Sequence, residues 1–217
     1  MIDLNNFQSV FLNCDCMEGM KQFPDKFFDL AIVDPPYGIS INHNMGRRKG
    51  DKHSEYKKVL WDNQPPDESY FNELFRVSKN QIIWGANYYT MPPTKCFIVW
   101  RKPHITENVS FSMLEYAWTS FDGTSKEWIG MSNEPDRIHP TQKPVALYEW
   151  LLNKYAKQGD KILDTHVGSA SSLIACHNLG FKYVGFELDS DYYKAAFDRL
   201  EQVKSQISIF DCLCENA

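Results

Sequence analysis

The chain reads as a doubly wound α/β protein with a mostly parallel, Rossmann-like sheet, and three observations carry that reading. Two short apolar runs, Leu30-Ala31-Ile32-Val33 and Ile162-Leu163, each deliver an acidic residue, Asp34 and Asp164. Apolar runs without polar alternation suit strands buried on both faces, as in a parallel sheet covered by helices. Residues 160–188 complete a strand–helix–strand unit, with a small-residue loop, Gly168-Ser169-Ala170-Ser171, at the first turn and Glu187 at the end of the second strand. Such units place their ligands at the C-terminal rim of the sheet.

Taken in order, Phe7 to Cys14 forms a first strand that ends at Asp15-Cys16 and leads into a short helix from Met17 to Phe23. Asp15 is placed to cap that helix. The second strand ends in Asp34-Pro35-Pro36-Tyr37-Gly38. Residues 38–62 follow as a long polar stretch without apolar period, the kind of loop that is functional or unstructured. Pro65-Pro66-Asp67 starts an amphipathic helix carrying Tyr70, Phe71, Leu74 and Phe75, with Asp67 as its cap. Strand-like runs follow at Gln81–Gly85, Lys95–Trp100 and Leu114–Phe121, then a turn-rich, irregular segment over 122–137. A helix begins at Pro144, buries Val145, Leu147, Tyr148, Leu151, Leu152 and Tyr155, and ends by Gly159. After the strand to Asp164 come a helix from about Ser172 to Gly180, the strand Tyr183–Phe186 and a last helix from Ser190 to about Lys204. The whole of 1–205 forms one domain, and 206–217 a tail.

At 217 residues and 43% hydrophobic content the chain suits one sizeable core. No run reaches membrane-spanning length and the first residues lack the regions of a signal peptide, so a cytoplasmic protein is expected. That compartment argues for reduced thiols at the six cysteines. Cys14, Cys16, Cys212 and Cys214 could meet as a four-thiolate zinc site, but their settings argue against one, and no metal is expected. The net charge of −5 conceals a local excess: Arg47, Arg48, Lys49, Lys52, Lys57 and Lys58 face only Asp51 and Glu55, so this segment carries +4 and the remainder −9. These six cations suit contact with phosphates, or a merely solvated loop.

The chemistry concentrates at Asp34. Proline lacks an N–H and restricts the residue before it, so Asp34 and Pro35 are held extended with acceptors that no local turn claims. A planar group carrying an amine can donate to the Asp34 carboxylate and the Pro35 carbonyl while stacking on Tyr37. Downstream, Glu187, nineteen positions after Gly168, is placed to take the hydroxyls of a ribose, which predicts a nucleoside-containing cofactor.

Asp34-Pro35-Pro36-Tyr37 resembles the catalytic motif of the amino-methylating DNA methyltransferases, and the order of motifs over residues 7 to 200 is similar to their permuted (β) group. The resemblance implies S-adenosylmethionine as cofactor and the exocyclic amine of a base in double-stranded DNA as target. An Asp at the first motif position is more often associated there with adenine. The four motif residues would be catalytic. Asp15 and Cys16 would lie beside the cofactor's adenine, and Thr141 and Lys143 would line its methionine end. Asp164, His166, Gly168, Ser169 and Glu187 would form the rest of the cofactor pocket. Thr141 and Lys143 also have a plain reading as helix-capping residues.

Thr165, His166 and Ala170 depart from the family's Asp-Pro-Phe and Gly-x-Gly pattern; His166 would stack in place of the missing Phe. The recognition segment over 122–137 is short, which leaves sequence discrimination to the basic loop or to a second copy of the chain, and a cognate endonuclease is a further partner of such systems. Three other readings stay open: amino-cytosine specificity, an RNA or protein-amide methyltransferase, and a non-catalytic DNA-binding subunit.

Overall fold

The computed structural model describes residues 3–4, 6–39, 62, 64–106, 112–132 and 137–206. Within them eight strands form one sheet: β1 (Val10–Asn13), β2 (Phe28–Val33), β3 (Ser78–Trp84), β4 (Phe97–Arg101), β5 (Leu114–Thr119), β6 (Lys126–Ile129), β7 (Lys161–Asp164) and β8 (Lys182–Glu187). Their order is β1-β8-β7-β2-β3-β5-β4-β6. The first five are mutually parallel, β5 runs antiparallel to β3 and β4, and β6 is parallel to β4. This is the doubly wound, mostly parallel sheet expected.

Among the described residues five α-helices cover it: α1 (Cys16–Met20), α2 (Glu68–Val77), α3 (Val145–Tyr155), α4 (Ser171–Asn178) and α5 (Ser190–Lys204). Alternation along the strands sorts the core into two layers. Leu30 and Ile32 of β2 join Leu147 and Leu151 of α3, Leu173 and Ile174 of α4, and Ala196 and Leu200 of α5. Ala31 and Val33 join Met20 of α1 and Tyr70, Phe71 and Leu74 of α2. Both faces of β2 are therefore closed, which is why its sequence is an unbroken apolar run. Asp15, Asp67 and Asp189 each accept two backbone N–H groups at the starts of α1, α2 and α5, so three acidic residues fix three helix entry points.

Several boundaries differ from expectation. The first strand is limited to Val10–Asn13, because pairing with β8 extends only over those four residues. The helix expected to run to Gly159 stops at Tyr155, where Ala156 turns extended, and Pro144 sits at the cap rather than inside the first turn. The segment 122–137, expected to be irregular, contains β6. Lys126–Ile129 is too short and too alternating in exposure to stand out as a strand. Its identity comes from register with β4 and from Trp128 packing at 6.0 Å on Trp100, whose indole N–H donates to the Gly130 carbonyl at 2.9 Å. The basic stretch with Arg47, Arg48, Lys49, Lys52, Lys57 and Lys58, the Cys212 and Cys214 pair and nearly all of the tail lie outside the described residues. Among the described residues no helix is long and apolar enough to cross a membrane.

The topology brings the two acids together. β2 and β7 are adjacent and parallel, with Leu30 opposite Ile162 and Ala31 opposite Leu163, so Asp34 and Asp164 emerge at one rim. A cavity of about 480 Å³ opens there, within the size range of small-molecule and cofactor sites, roughly 300–1,000 Å³.

Candidate active site

The cavity is bordered by Asp34, Pro35, Pro36 and Tyr37 from the end of β2, by Asp15 and Cys16 from the end of β1, by Thr141 and Lys143 ahead of α3, and by His166, Gly168, Ser169 and Glu187 around β7 and β8. Residues up to 172 positions apart in sequence thus share one space, most of them because they sit at or just beyond a strand tip and Thr141 and Lys143 because they lead into α3. Asp164 is the exception. It lies behind the wall, 3% exposed, accepting from the His166 backbone N–H at 3.0 Å and from the Ser172 hydroxyl. Burial, together with the charges of Asp34 and Glu187, outweighs those two bonds and lifts its carboxyl to about 7. Asp164 therefore shapes the loop between β7 and α4 from within rather than facing the cavity.

Asp34 is held differently. Its Oδ1 accepts from the Tyr37 hydroxyl at 2.6 Å and its Oδ2 from the Lys143 ammonium at 2.5 Å. Lys143, 3% exposed, also reaches Glu115 Oε2 at 3.0 Å and the Tyr37 hydroxyl oxygen at 3.3 Å, which commits its three N–H donors. Glu115 projects from β5 and pairs in turn with the Lys102 ammonium just beyond β4. The result is an alternating chain, Asp34, Lys143, Glu115, Lys102, largely removed from water. Burial alone would lower Lys143, but its two carboxylates raise it and keep it an ammonium. Burial alone would raise Glu115, but Lys143 and Lys102 hold its carboxyl down at about 2. Asp34, buried, with a share in one ammonium and with Glu115 nearby, is raised.

The acceptors of Asp34 and Pro35, expected to be unclaimed by any local turn, have no backbone partner among the described residues, but side chains meet them: Tyr37 and Lys143 at Asp34, and the Tyr89 hydroxyl at the carbonyls of Pro35 (2.7 Å) and Pro36 (3.0 Å). A carbonyl oxygen has two lone pairs, so Pro35 retains one acceptor position. The Tyr37 backbone N–H donates to Asp62 Oδ1 at 2.8 Å, which pins the turn. Its ring stacks on Tyr88 at 4.9 Å and fits where Gly85 has no side chain; a Cβ at Gly85 would stand 2.1 Å from the ring.

On the other side, Glu187 receives the Gly168 N–H on Oε2 (2.8 Å) and the Asp189 N–H on Oε1 (2.9 Å), which orients its carboxylate at the cavity edge. Gly168 adopts φ +56, the left-handed region that favours glycine, and this brings its N–H to Glu187. Ala170 also adopts a left-handed φ of 63, at a position where the resemblance expects glycine. His166 packs edge-on to Tyr70 at 5.4 Å and shares a hydrogen bond with the Thr165 hydroxyl at 2.9 Å; burial depresses its pKa to about 4, so it stays neutral. Thr141 bonds its hydroxyl to His139 Nδ1 at 3.0 Å, and His139 is pushed down to about 3 by burial and by the Lys143 and Arg137 charges.

Glu115, Lys102, Tyr89 and Asp62 were not singled out from sequence. The signal for Glu115 and Lys102 was available: an acid inside an otherwise apolar strand and a lysine just past its hairpin partner. Nothing in the local sequence marks Asp62 or Tyr89, whose contacts cross 25 and 54 positions.

The family model described as DNA methylase matches residues 93–198. YubD of Escherichia coli (strain K12) is 27% identical over 90% of this chain and 92% of its own. The type II methyltransferase M.HinfI of Haemophilus influenzae is 23% identical over 93% of this chain and 71% of its own. In fold, the crystal structure of the M1.HpyAVI–SAM complex superposes with a TM-score of 0.54 at 20% identity, covering 87% of this chain and 98% of that one. The cytosine-N4-specific PvuII DNA methyltransferase does so with a TM-score of 0.61 at 13% identity, covering 91% and 90%.

Proposed function

We propose, from the chain's similarity to DNA methylases over residues 93–198 and to the type II methyltransferase M.HinfI over most of its length, that it transfers a methyl group from S-adenosylmethionine to the exocyclic amine of adenine in double-stranded DNA. The observation that carries this reading is the single cavity bounded on one side by the Asp34-Pro35-Pro36-Tyr37 tip and on the other by Glu187 and the Gly168 loop.

The cavity residues fit the cofactor. Glu187 keeps carboxylate lone pairs for ribose hydroxyls after accepting two backbone N–H groups. Cys16, whose thiol burial pushes up to about 12, adds an uncharged, weakly polar surface suited to a flat ring. S-adenosylmethionine, when bound there, supplies an electrophilic methyl group. The protein's own part lies at β2. A base extruded from the duplex presents its amine to Asp34 Oδ1 and to the remaining lone pair of the Pro35 carbonyl, and these acceptors aim the nitrogen lone pair. Oδ1 becomes free when the Tyr37 hydroxyl moves off it, and the Tyr37 ring then offers a stacking face. Asp34 has no need to remove a proton before attack; it orients the nitrogen and stabilises positive charge developing on it. The cations of residues 47–58 would supply the phosphate contacts, an assignment supported by their charge alone.

Adenine rather than cytosine is supported by the Asp at position 34. Expression in a host that lacks adenine methylation, followed by genome-wide mapping of modified bases, tests all of this. N6-methyladenine at one consistent motif is expected. N4-methylcytosine would overturn the choice of base, and unmodified DNA with methylated RNA or protein would overturn the choice of substrate.

A further inference from the structure

Asp34 meets the base amine in the proposed transfer, whereas Glu115 and Lys102 touch neither base nor cofactor, although both are drawn out of water at a cost. Taking a charged pair from water is expensive, and such pairs are often no better for stability than apolar residues of similar volume. Glu115 and Lys102 nevertheless extend a chain of ion pairs that ends on the proposed catalytic carboxylate. The β4–β5 hairpin fixes their meeting: Trp100 lies opposite Glu115, and the Lys102 N–H donates to the Met113 carbonyl at 2.9 Å.

The division of labour at Asp34 follows from the geometry. Lys143 is shared between Asp34 Oδ2 and Glu115 Oε2, so neither carboxylate receives its full charge. Among the described residues Asp34 Oδ1 is held by the Tyr37 hydroxyl alone, a neutral donor that can swing away. A fully paired Asp34 would be a poor acceptor for an incoming amine. An unpaired one, this buried, would take up a proton.

We propose that Glu115, backed by Lys102, is a positioning residue for the methyl transfer: it draws part of the Lys143 ammonium away from Asp34, which keeps Oδ2 anchored and leaves Oδ1 a strong acceptor for the base amine. The inference rests on the function proposed above, and one part of its test is independent of activity.

The charged and titratable groups facing Asp34 are Lys143 ahead of α3, Tyr37 beside it in the same loop, Glu115 on β5, Tyr148 on α3, Tyr70 on α2, Tyr89 beyond β3 and Asp164 on β7. Only one of them changes in Glu115→Gln. Removing that negative charge returns the whole ammonium to Asp34, so the Asp34 titration moves down by about one unit, the scale of a nearby-charge effect. The double variant Glu115→Gln/Lys102→Met keeps the cluster electrically balanced and guards against a single variant that fails to fold.

The experiment follows the Asp34 carboxyl by 13C NMR titration in wild type and both variants. It also measures S-adenosylhomocysteine affinity by calorimetry and single-turnover methylation of unmethylated genomic DNA. Expected are a downward Asp34 shift in each folded variant, a transfer rate lower by roughly tenfold or more, and analogue affinity within about twofold of wild type. An unmoved Asp34 titration overturns the proposal, as does a wild-type transfer rate in a folded variant, or equal loss of rate and analogue affinity. A wild-type protein that methylates no DNA overturns the function instead, and the titration alone then decides the charge coupling.

Discussion

Two parallel strands, side by side, each deliver an aspartate to the same rim, and the protein treats the two carboxylates in opposite ways. Asp34 is met by an ammonium and a phenol; Asp164 is met by a backbone N–H and a serine hydroxyl. The first borders the cavity and the second does not. A charged partner offsets part of the burial that raises the Asp34 carboxyl, whereas the neutral donors around Asp164 leave it raised to about 7 and serve to shape a loop. Strand position alone therefore does not assign a role; the partners do.

The sharpest way to break this comparison is to remove Asp34. Asp34→Ala leaves Lys143 paired with Glu115, so the fold persists, while methyl transfer falls by at least about 10³-fold, or about 4 kcal/mol of barrier. Affinity for S-adenosylhomocysteine, measured by calorimetry, stays within roughly threefold. Equal loss of both in a folded variant would end the separation between the two halves.

Removing the ammonium tests the same pair through stability. Lys143→Met breaks a buried pair, a change worth about 3–5 kcal/mol, and the low end is expected because Glu115 keeps Lys102. The loss read by urea denaturation is smaller at pH 5 than at pH 8, since Asp34, already raised, then takes up a proton in place of its lost partner. A flat pH dependence would contradict that reading.

Gly85→Ala probes the support of Tyr37. The backbone there has φ +70 and a Cβ would collide with the ring, so strain and overpacking together cost about 2 kcal/mol. A tyrosine-specific change in near-ultraviolet dichroism accompanies it. An unaltered signal and stability would show that the Tyr37 ring is not seated on Gly85.

The smallest effect sharpens the Asp164 side. A carboxyl raised to about 7 favours folding at low pH, and its contribution is lost as pH rises from about 4 to about 7. His139 and His166, depressed to about 3 and about 4, have the opposite sign: their contribution is present above about 6.5 and is lost as pH falls. Between about pH 4.5 and 6 the two histidines take up about two protons on unfolding and Asp164 releases about one, so net uptake is about one. Asp164→Asn raises it to about two, seen as a steeper fall of Tm on acidification. An unchanged slope would contradict the raised carboxyl.

Much of the fold was legible because its pattern is local. Leu30 to Val33 and Ile162-Leu163 announce buried strands, and the caps Asp15 and Asp67 announce helices that the structure contains. β6 was missed because four residues with alternating exposure become a strand only through their partner. The site was legible where side chains sit at strand tips, as at Asp34 and Glu187. It was obscure where partners come from afar: Lys143 meets Asp34 across 109 positions, and the ion pairs of Glu115 with Lys143 and Lys102 depend on how β4 and β5 pair. Asp164 stands off the cavity for the converse reason, since a strand-end acid can turn inward when a nearby serine offers a hydroxyl.

The most direct test of the two-sided cavity is a crystal structure of the protein grown with S-adenosylhomocysteine. The account predicts the ribose hydroxyls against Glu187, with the sulfur end of the ligand directed toward the Asp34-Pro35-Pro36-Tyr37 tip and Asp34 Oδ2 still on Lys143. A ligand bound elsewhere, or one whose sulfur points away from Asp34, would contradict it.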